Sequence, residues 1–319
     1  MAKYERLTYL LITRDPVHIG AGGYRLGRVD NSIVREPGTG VPKIPGTSLH
    51  GAIRTYAARE YENLDAAGQK HDKVDKPEED PVCYTFGYLA KPATGEDQRD
   101  AGGYAGVANI FDAQVLLFPV RSAGGPLWVT TPSALAGAGV TVAGSPSNRQ
   151  RDTVLPTGDL GTHINLGWLN LRVGDKVTVT WPPNWDAPEW QAIKDKVVVV
   201  QEGLFSHVVN SNLEVRTSVS IDPITGAAAG GALFTYEALP RATFLAFDVV
   251  IDDYRDKFPK KNQTFRKNPL PKNEGWNSSK DVINAGIDAI EWLGIGGMGT
   301  RGFGRLGLVG TAIATTPVV

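Results

Sequence analysis

Asp30, in the polar loop Gly27-Arg28-Val29-Asp30-Asn31, is the first residue whose type invites chemistry. An exposed carboxylate there can hold a hard divalent cation or take a proton. Asp-Asn is also a common turn pair, so the local reading is a turn former. His18 precedes Gly20-Ala21-Gly22 and either orients a substrate or satisfies a loop carbonyl. Tyr236 and Glu237 close a strand-like run, where a glutamate reads as a solvated rim residue.

Two segments suit phosphate. Pro45-Gly46-Thr47-Ser48 opens a helix, where free N–H groups and the positive dipole end combine with two hydroxyls. An ordinary cap by Thr47 or Ser48 explains the same residues. Near the C-terminus, Gly294, Gly296, Gly297, Gly299, Gly302 and Gly304 punctuate one loop with Arg301 and Arg305. Its G-x-G-x-x-G fails as a dinucleotide fingerprint, because it follows a helix and precedes the last strand. Bare backbone N–H groups approached by a phosphodiester, and a tight connection packed on its own sheet, both remain open.

The chain has 319 residues, 41% hydrophobic and 21% charged, with net charge −1. That is ordinary globular composition and argues against a free-standing nucleic-acid binder. Cys83 is the only cysteine, and the five histidines have no zinc spacing, which excludes a disulfide framework and a Cys/His metal centre. The N-terminal apolar stretch is too short for a signal peptide or membrane span, so a soluble cytoplasmic protein is expected.

Periodicity supplies the positioning elements. Tyr4 to Thr13 reads as a strand; Leu49, Ala52, Ile53, Tyr56 and Ala57 share one helical face. Residues 62–82 read as a charged surface loop. A second strand over 106–120 is expected to close at Pro119, and 136–165 to be irregular. Pro188 to Asn210 reads as one helix. Strands at 213–221 and 231–237 flank turn chemistry at Asp222-Pro223-Ile224-Thr225-Gly226, predicting a hairpin. A strand over 243–251, a helix over 278–293 opened by Ser278 and Asp281, and a last strand over 305–311 follow. With insertions removed, the order strand, helix, strand, strand, helix, strand predicts an α+β, ferredoxin-like (RRM-like) βαββαβ core. The segment 255–280 is basic and reads as a loop, solvated or RNA-contacting.

Four ordered segments carry a family resemblance: HIGAG…GRVDNSIVREPGTGVPKIPGTSLHGAIR, ANIFDAQVLLFPVRSAGGPLWVTTP, EVRTSVSIDPITGAAAGGALFTYEALP and IGGMGTRGFGRL. Together they resemble the RAMP superfamily, and more closely the backbone subunits of Cmr (type III-B) CRISPR effectors. The resemblance implies one RAMP domain over 1–319 with insertions at about 62–104, 136–210, 211–237 (a thumb β-hairpin) and 252–280 (a basic loop). It implies stacking head to tail with other copies along guide RNA (crRNA), beside other type III effector subunits, with target RNA as substrate and no membrane partner.

On this sequence the implied slicing residue is Asp30, with Mg²⁺ as the expected divalent metal and Asp30 its ligand, and His18 as a further catalytic candidate. Implied guide contacts are Thr47, Ser48, His50, Arg54, Gly296, Gly297, Gly299, Arg301 and Gly302. The thumb would comprise Arg216, Ile221, Asp222, Pro223, Ile224 and Thr225. Tyr236 and Glu237 are implied accessory residues. His50 stands where the family motif has Lys. The implied activity is metal-dependent endoribonuclease cleavage through the 2′-OH. A non-catalytic guide-binding subunit, or a repeat-processing nuclease using His18, are the competing readings.

Overall fold

The computed structural model describes residues 4–22, 29–68, 73–89, 102–144, 152–228, 233–260 and 275–315. The main elements are β1 (Glu5–Thr13), α1 (Gly46–Glu60), β2 (Ala113–Ser122), β3 (Gly125–Thr130), β4 (Val197–Val199), α2 (Glu202–Ser211), β5 (Glu214–Ser218), β6 (Phe234–Ala238), β7 (Phe244–Ile251), α3 (Ser279–Leu293) and β8 (Leu306–Leu308).

β1 is apolar almost throughout because both its faces are covered. Leu7, Tyr9 and Leu11 join Leu49, Ile53 and Ala57 of α1 and Ile283, Ile287 and Ile290 of α3. Leu10 and Ile12 face a second cluster containing Trp181, Trp185 and Trp190. Gly286 lets the two helices meet, since a Cβ there would lie 2.4 Å from the Ile53 carbonyl oxygen. α3 starts as its sequence predicts: Asp281 Oδ2 accepts the Ser278 N–H at 3.0 Å.

The central strands run β8-β1-β7-β2 and all pair antiparallel. Counting the four core strands by sequence, this is order 4-1-3-2, the α+β ferredoxin-like arrangement. The Tyr9↔Phe247 pair fixes the β1–β7 register and stacks its rings at 5.2 Å.

Beyond β2 the same sheet continues through β3 and β4, then Thr153–Pro156, Leu169–Val173 and His163–Leu166. Several sequence expectations are corrected there. The strand does not close at Pro119 but runs to Ser122. Pro119 opposes Trp128, whose N–H donates away from β2 to the Lys196 carbonyl. On the other side, pairing with β7 has already ended at Leu117, so the missing proline N–H leaves no ladder bond open. Residues 136–165 include the strands Thr141–Ala143, Thr153–Pro156 and His163–Leu166 rather than being wholly irregular. The single helix expected over 188–210 is split into a short turn (Pro188–Gln191), β4 and α2. Four successive β-branched valines at 197–200 favour the strand.

Within 62–82, Ala66, Val74 and Pro77 are buried, so that segment also packs rather than lying free on the surface. Asp80 caps the helix Pro81–Phe86 by accepting the N–H groups of Val82 and Cys83, each at 2.8 Å. Part of the basic segment, 261–274, lies outside the described residues.

Candidate functional site

β5 and β6 form the hairpin expected from the turn chemistry, paired from Glu214↔Ala238 to Ser218↔Phe234. At its tip Asp222 Oδ1 accepts the N–H groups of Ile224 (2.7 Å) and Thr225 (3.2 Å), closing the turn over Pro223. Ile221 and Ile224 stand in solvent, Ile224 at 92% exposure.

The hairpin root is different, because the Asp30 segment docks along it. Asn31 N–H donates to the Thr235 carbonyl, and Glu237 N–H to the Asn31 carbonyl, both at 3.0 Å. Asp30 Oδ2 accepts both the backbone N–H of Thr235 (2.7 Å) and its hydroxyl (2.9 Å). The same hydroxyl oxygen accepts the Asp30 N–H at 3.0 Å. These bonds, the backbone one foremost, hold the exposed Asp30 carboxyl below the usual carboxylate range.

Glu237 is not the solvated rim residue its position suggests. Its carboxylate accepts Arg35 Nη2 at 2.8 Å and the Ile33 N–H at 3.3 Å. Tyr236 is buried, packed edgewise on His18 (6.0 Å) and Phe303 (5.3 Å), with Ser218 Oγ donating to its hydroxyl at 3.3 Å. His18 is 6% exposed. Its Nδ1 lies 2.6 Å from the Glu237 carbonyl oxygen, which makes Nδ1 the hydrogen-bond donor of that contact. Of the two readings of His18, the structure supplies a backbone-carbonyl contact, made to strand β6 rather than to a loop.

The glycine loop divides in two. A Cβ at Gly296 (φ +82°) would lie 2.4 Å from the His18 carbonyl oxygen, and the Gly297 N–H donates to that oxygen at 2.9 Å. One flank of each lies against His18, although both glycines are exposed. Gly299 and Gly302 face open space and are exposed. Arg301, exposed between them, lies 5.6 Å from the Phe234 ring centroid. Arg305 is paired with Asp15, so its charge is already balanced. Arg216 covers Phe303 at 4.7 Å and pairs with Glu214.

At the first turn of α1 the cap is corrected. The N-cap position is Pro45, with Thr47 and Ser48 inside the helix. Asp112 supplies the acceptor from a distance, taking the Gly46 N–H at 2.7 Å while pairing with Lys43 at 2.6 Å. Thr47 is exposed and Ser48 half-buried. His50 packs edgewise on Phe86 at 5.1 Å, and burial pulls its imidazole pKa down, so it carries less charge than the Lys of the family motif.

Arg54, expected on RNA, is 7% exposed. Its guanidinium donates to the carbonyls of Ala66 (2.7 Å), Phe86 (3.4 Å) and Gly87 (3.0 Å), tying the 62–89 insertion to α1. That expectation is corrected: the sequence shows a basic residue near a helix start, whereas the partners are 12 to 33 residues away.

As a metal ligand Asp30 stands by itself. Among the described residues no group of three or more carboxylate, imidazole or thiolate side chains could enclose an ion. Oδ2 is engaged by Thr235, and Oδ1 has no protein donor among the described residues. One available carboxylate oxygen fits Mg²⁺, which takes its remaining ligands from water and phosphate. Thr235, Arg35 and Asp112 were not singled out from sequence. Their partners are tens to hundreds of residues away, and only the alternation in FTYEA hinted that Thr235 shares a face with Glu237. No helix of the described residues is long and apolar enough to cross a membrane.

The profile of the RAMP superfamily matches residues 10–307. Over 250 residues the chain is 27% identical to the CRISPR system Cmr endoribonuclease Cmr4 of Pyrococcus furiosus, spanning 73% of this chain and 77% of that one. Over 62 residues it is 45% identical to the Cms endoribonuclease Csm3 of Mycobacterium tuberculosis, 19% of this chain and 26% of that one. Its fold is similar to a chain in the cryo-EM structure of apo type III-B Cmr-beta, with a TM-score of 0.60 at 15% identity over 95% of this chain and 97% of that one. Oligomeric Cmr4 from Pyrococcus furiosus gives 0.53 at 19% identity over the whole of both chains. With a match to nearly its whole length and the 4-1-3-2 sheet in place, this chain belongs to the RAMP superfamily, related in sequence and fold to the Cmr4 subunits of type III-B CRISPR effectors.

Proposed function

We propose that this chain is a backbone subunit of a type III RNA-guided effector, which stacks head to tail along guide RNA beside other effector subunits and cuts target RNA next to Asp30. The observation that carries the reading is an exposed carboxylate fastened to the root of a hairpin whose tip is apolar and free. Relatives support it: the matched Cmr4 and Csm3 are named endoribonucleases, and a similar fold occurs in type III-B Cmr-beta bound to cognate target RNA (TM-score 0.58, 16% identity).

Stacked RNA keeps its 2′-oxygen out of line with the phosphorus and the 5′-oxygen. Ile221 and Ile224, presented on the turn that Asp222 closes, are suited to wedge between bases and unstack one nucleotide. In the kinked strand the 2′-oxygen bonds to phosphorus as the P–O5′ bond breaks. The 2′-proton leaves to solvent and the 5′-oxygen takes one up, giving a 2′,3′-cyclic phosphate and a 5′-OH. Catalysis is chiefly by orientation.

Asp30 acts as a fixed negative oxygen rather than as the base, because its lowered pKa makes it a weak proton acceptor. A Mg²⁺ held by Asp30 would supply charge neutralisation at the phosphate. Guide contacts fall on the exposed Thr47, the half-buried Ser48 and the open Gly299–Gly302 turn with Arg301.

The test is the effector assembled with Asp30→Asn. Guide and target binding should persist while cleavage drops by about 10²-fold or more. Undiminished cutting with intact assembly would make the chain a purely structural guide-binding subunit.

A further inference from the structure

The contacts of Thr235 exceed what the strand β6 requires. Its backbone N–H and hydroxyl both donate to one oxygen of Asp30, and its hydroxyl oxygen takes the Asp30 N–H in return. The clamp therefore fixes both the backbone and the side chain of Asp30. Thr235 is itself on the strand that leads to the hairpin tip, paired with Thr217 of β5. Two residues along β6, about 7 Å at strand spacing, Glu237 makes the second tie through Arg35 and the Ile33 N–H.

The Asp30 segment is thus carried by the hairpin as a third, partial strand, bonded through Asn31 on both sides. Among the described residues no side chain other than that of Thr235 donates to the Asp30 carboxylate.

We infer that Thr235 is the positioning residue for Asp30, so that the seating of the hairpin on RNA sets where, and how fast, the carboxylate acts. This rests on the reading of Asp30 as the cleaving carboxylate. The hydroxyl is the part that matters, because it joins both ends of the clamp, whereas any residue but proline at 235 supplies the N–H. A displaced hairpin carries Asp30 with it, and a loosened clamp lets Asp30 turn while the hairpin stays seated. An error near 1 Å in such a group costs up to about 10²-fold in rate.

The experiment uses the fully assembled effector with guide RNA and compares Thr235→Val, Thr235→Ser and Asp30→Asn. Valine keeps the β-branched shape and the N–H but lacks the hydroxyl. Single-turnover cleavage should slow by roughly 10- to 100-fold in Thr235→Val, with target affinity unchanged. Its products should spread to neighbouring phosphodiesters, which a mere loss of folded protein would not cause. Thr235→Ser should restore rate and cutting position. If Thr235→Val fails to assemble, Thr235→Ala against Thr235→Ser gives the same contrast on a smaller side chain. Wild-type rate and position in Thr235→Val, with Asp30→Asn inactive, would overturn the inference and leave the cleavage reading standing. Normal cutting by Asp30→Asn would instead overturn the cleavage reading beneath it.

Discussion

The root and the tip of the β5–β6 hairpin belong to one ladder yet are built on opposite plans. The root gathers an ion pair, three bonds within the Asp30–Thr235 clamp and a buried tyrosine among His18, Phe234 and Phe303. The tip has Ile224 in water and one self-contained turn closed by Asp222. A tip whose apolar residues stand largely in solvent contributes little to folding, so its side chains are free to answer to a partner. The root must hold still for the same device to work. Rigid support under an exposed wedge is the lesson of the pair.

Substitutions can break or sharpen that contrast. The largest effect is expected at the loop beneath the root. Gly296→Ala combines a positive φ with a Cβ 2.4 Å from the His18 oxygen, and should destabilise by at least about 3 kcal/mol in denaturant unfolding. Glu237→Ala removes the partner of Arg35 and of the Ile33 N–H, and should cost about 1–3 kcal/mol, with faster hydrogen exchange at the Asn31 and Glu237 amides. Ile224→Asp should change stability by no more than about 0.5 kcal/mol while weakening target cleavage by the assembled effector. A stability loss there as large as at Glu237 would erase the distinction between the two ends.

The smallest effect is a titration. Because the folded pKa of Asp30 is lowered, its tie to Thr235 is complete above the unfolded carboxylate value and is lost as pH falls through the folded one. NMR titration of the Asp30 carboxyl should therefore show a midpoint below that of an ordinary aspartate, and Thr235→Val should raise it.

The core was legible in the sequence because its signals are local. β1, α1, β7 and α3 follow from periodicity and from Ser278 with Asp281, and the hairpin follows from its turn residues. The sheet extension was not, because proline in β2 is tolerated only through pairings made elsewhere, and the short valine strand at 197–199 sits between two helical segments that mask it. At the candidate site the sequence, with its family resemblance, pointed to Asp30 but not to what holds it. Thr235 is 205 positions away, and Arg54 was placed on RNA although its carbonyl partners bury it. Residue type announces a charge; only the fold says whether that charge is already engaged.

The carboxylate of Asp112 at the head of α1 has a consequence for binding in salt. It already answers the Gly46 N–H and the Lys43 ammonium, so this end of the helix presents little net positive field to an incoming strand. Attachment at Thr47 and Ser48 would then proceed through neutral hydroxyl bonds that displace few condensed cations. On the proposed function, raising ionic strength should weaken guide attachment at this end far less than at the Arg301 turn, so the two proposed anchors would be separable by salt concentration alone.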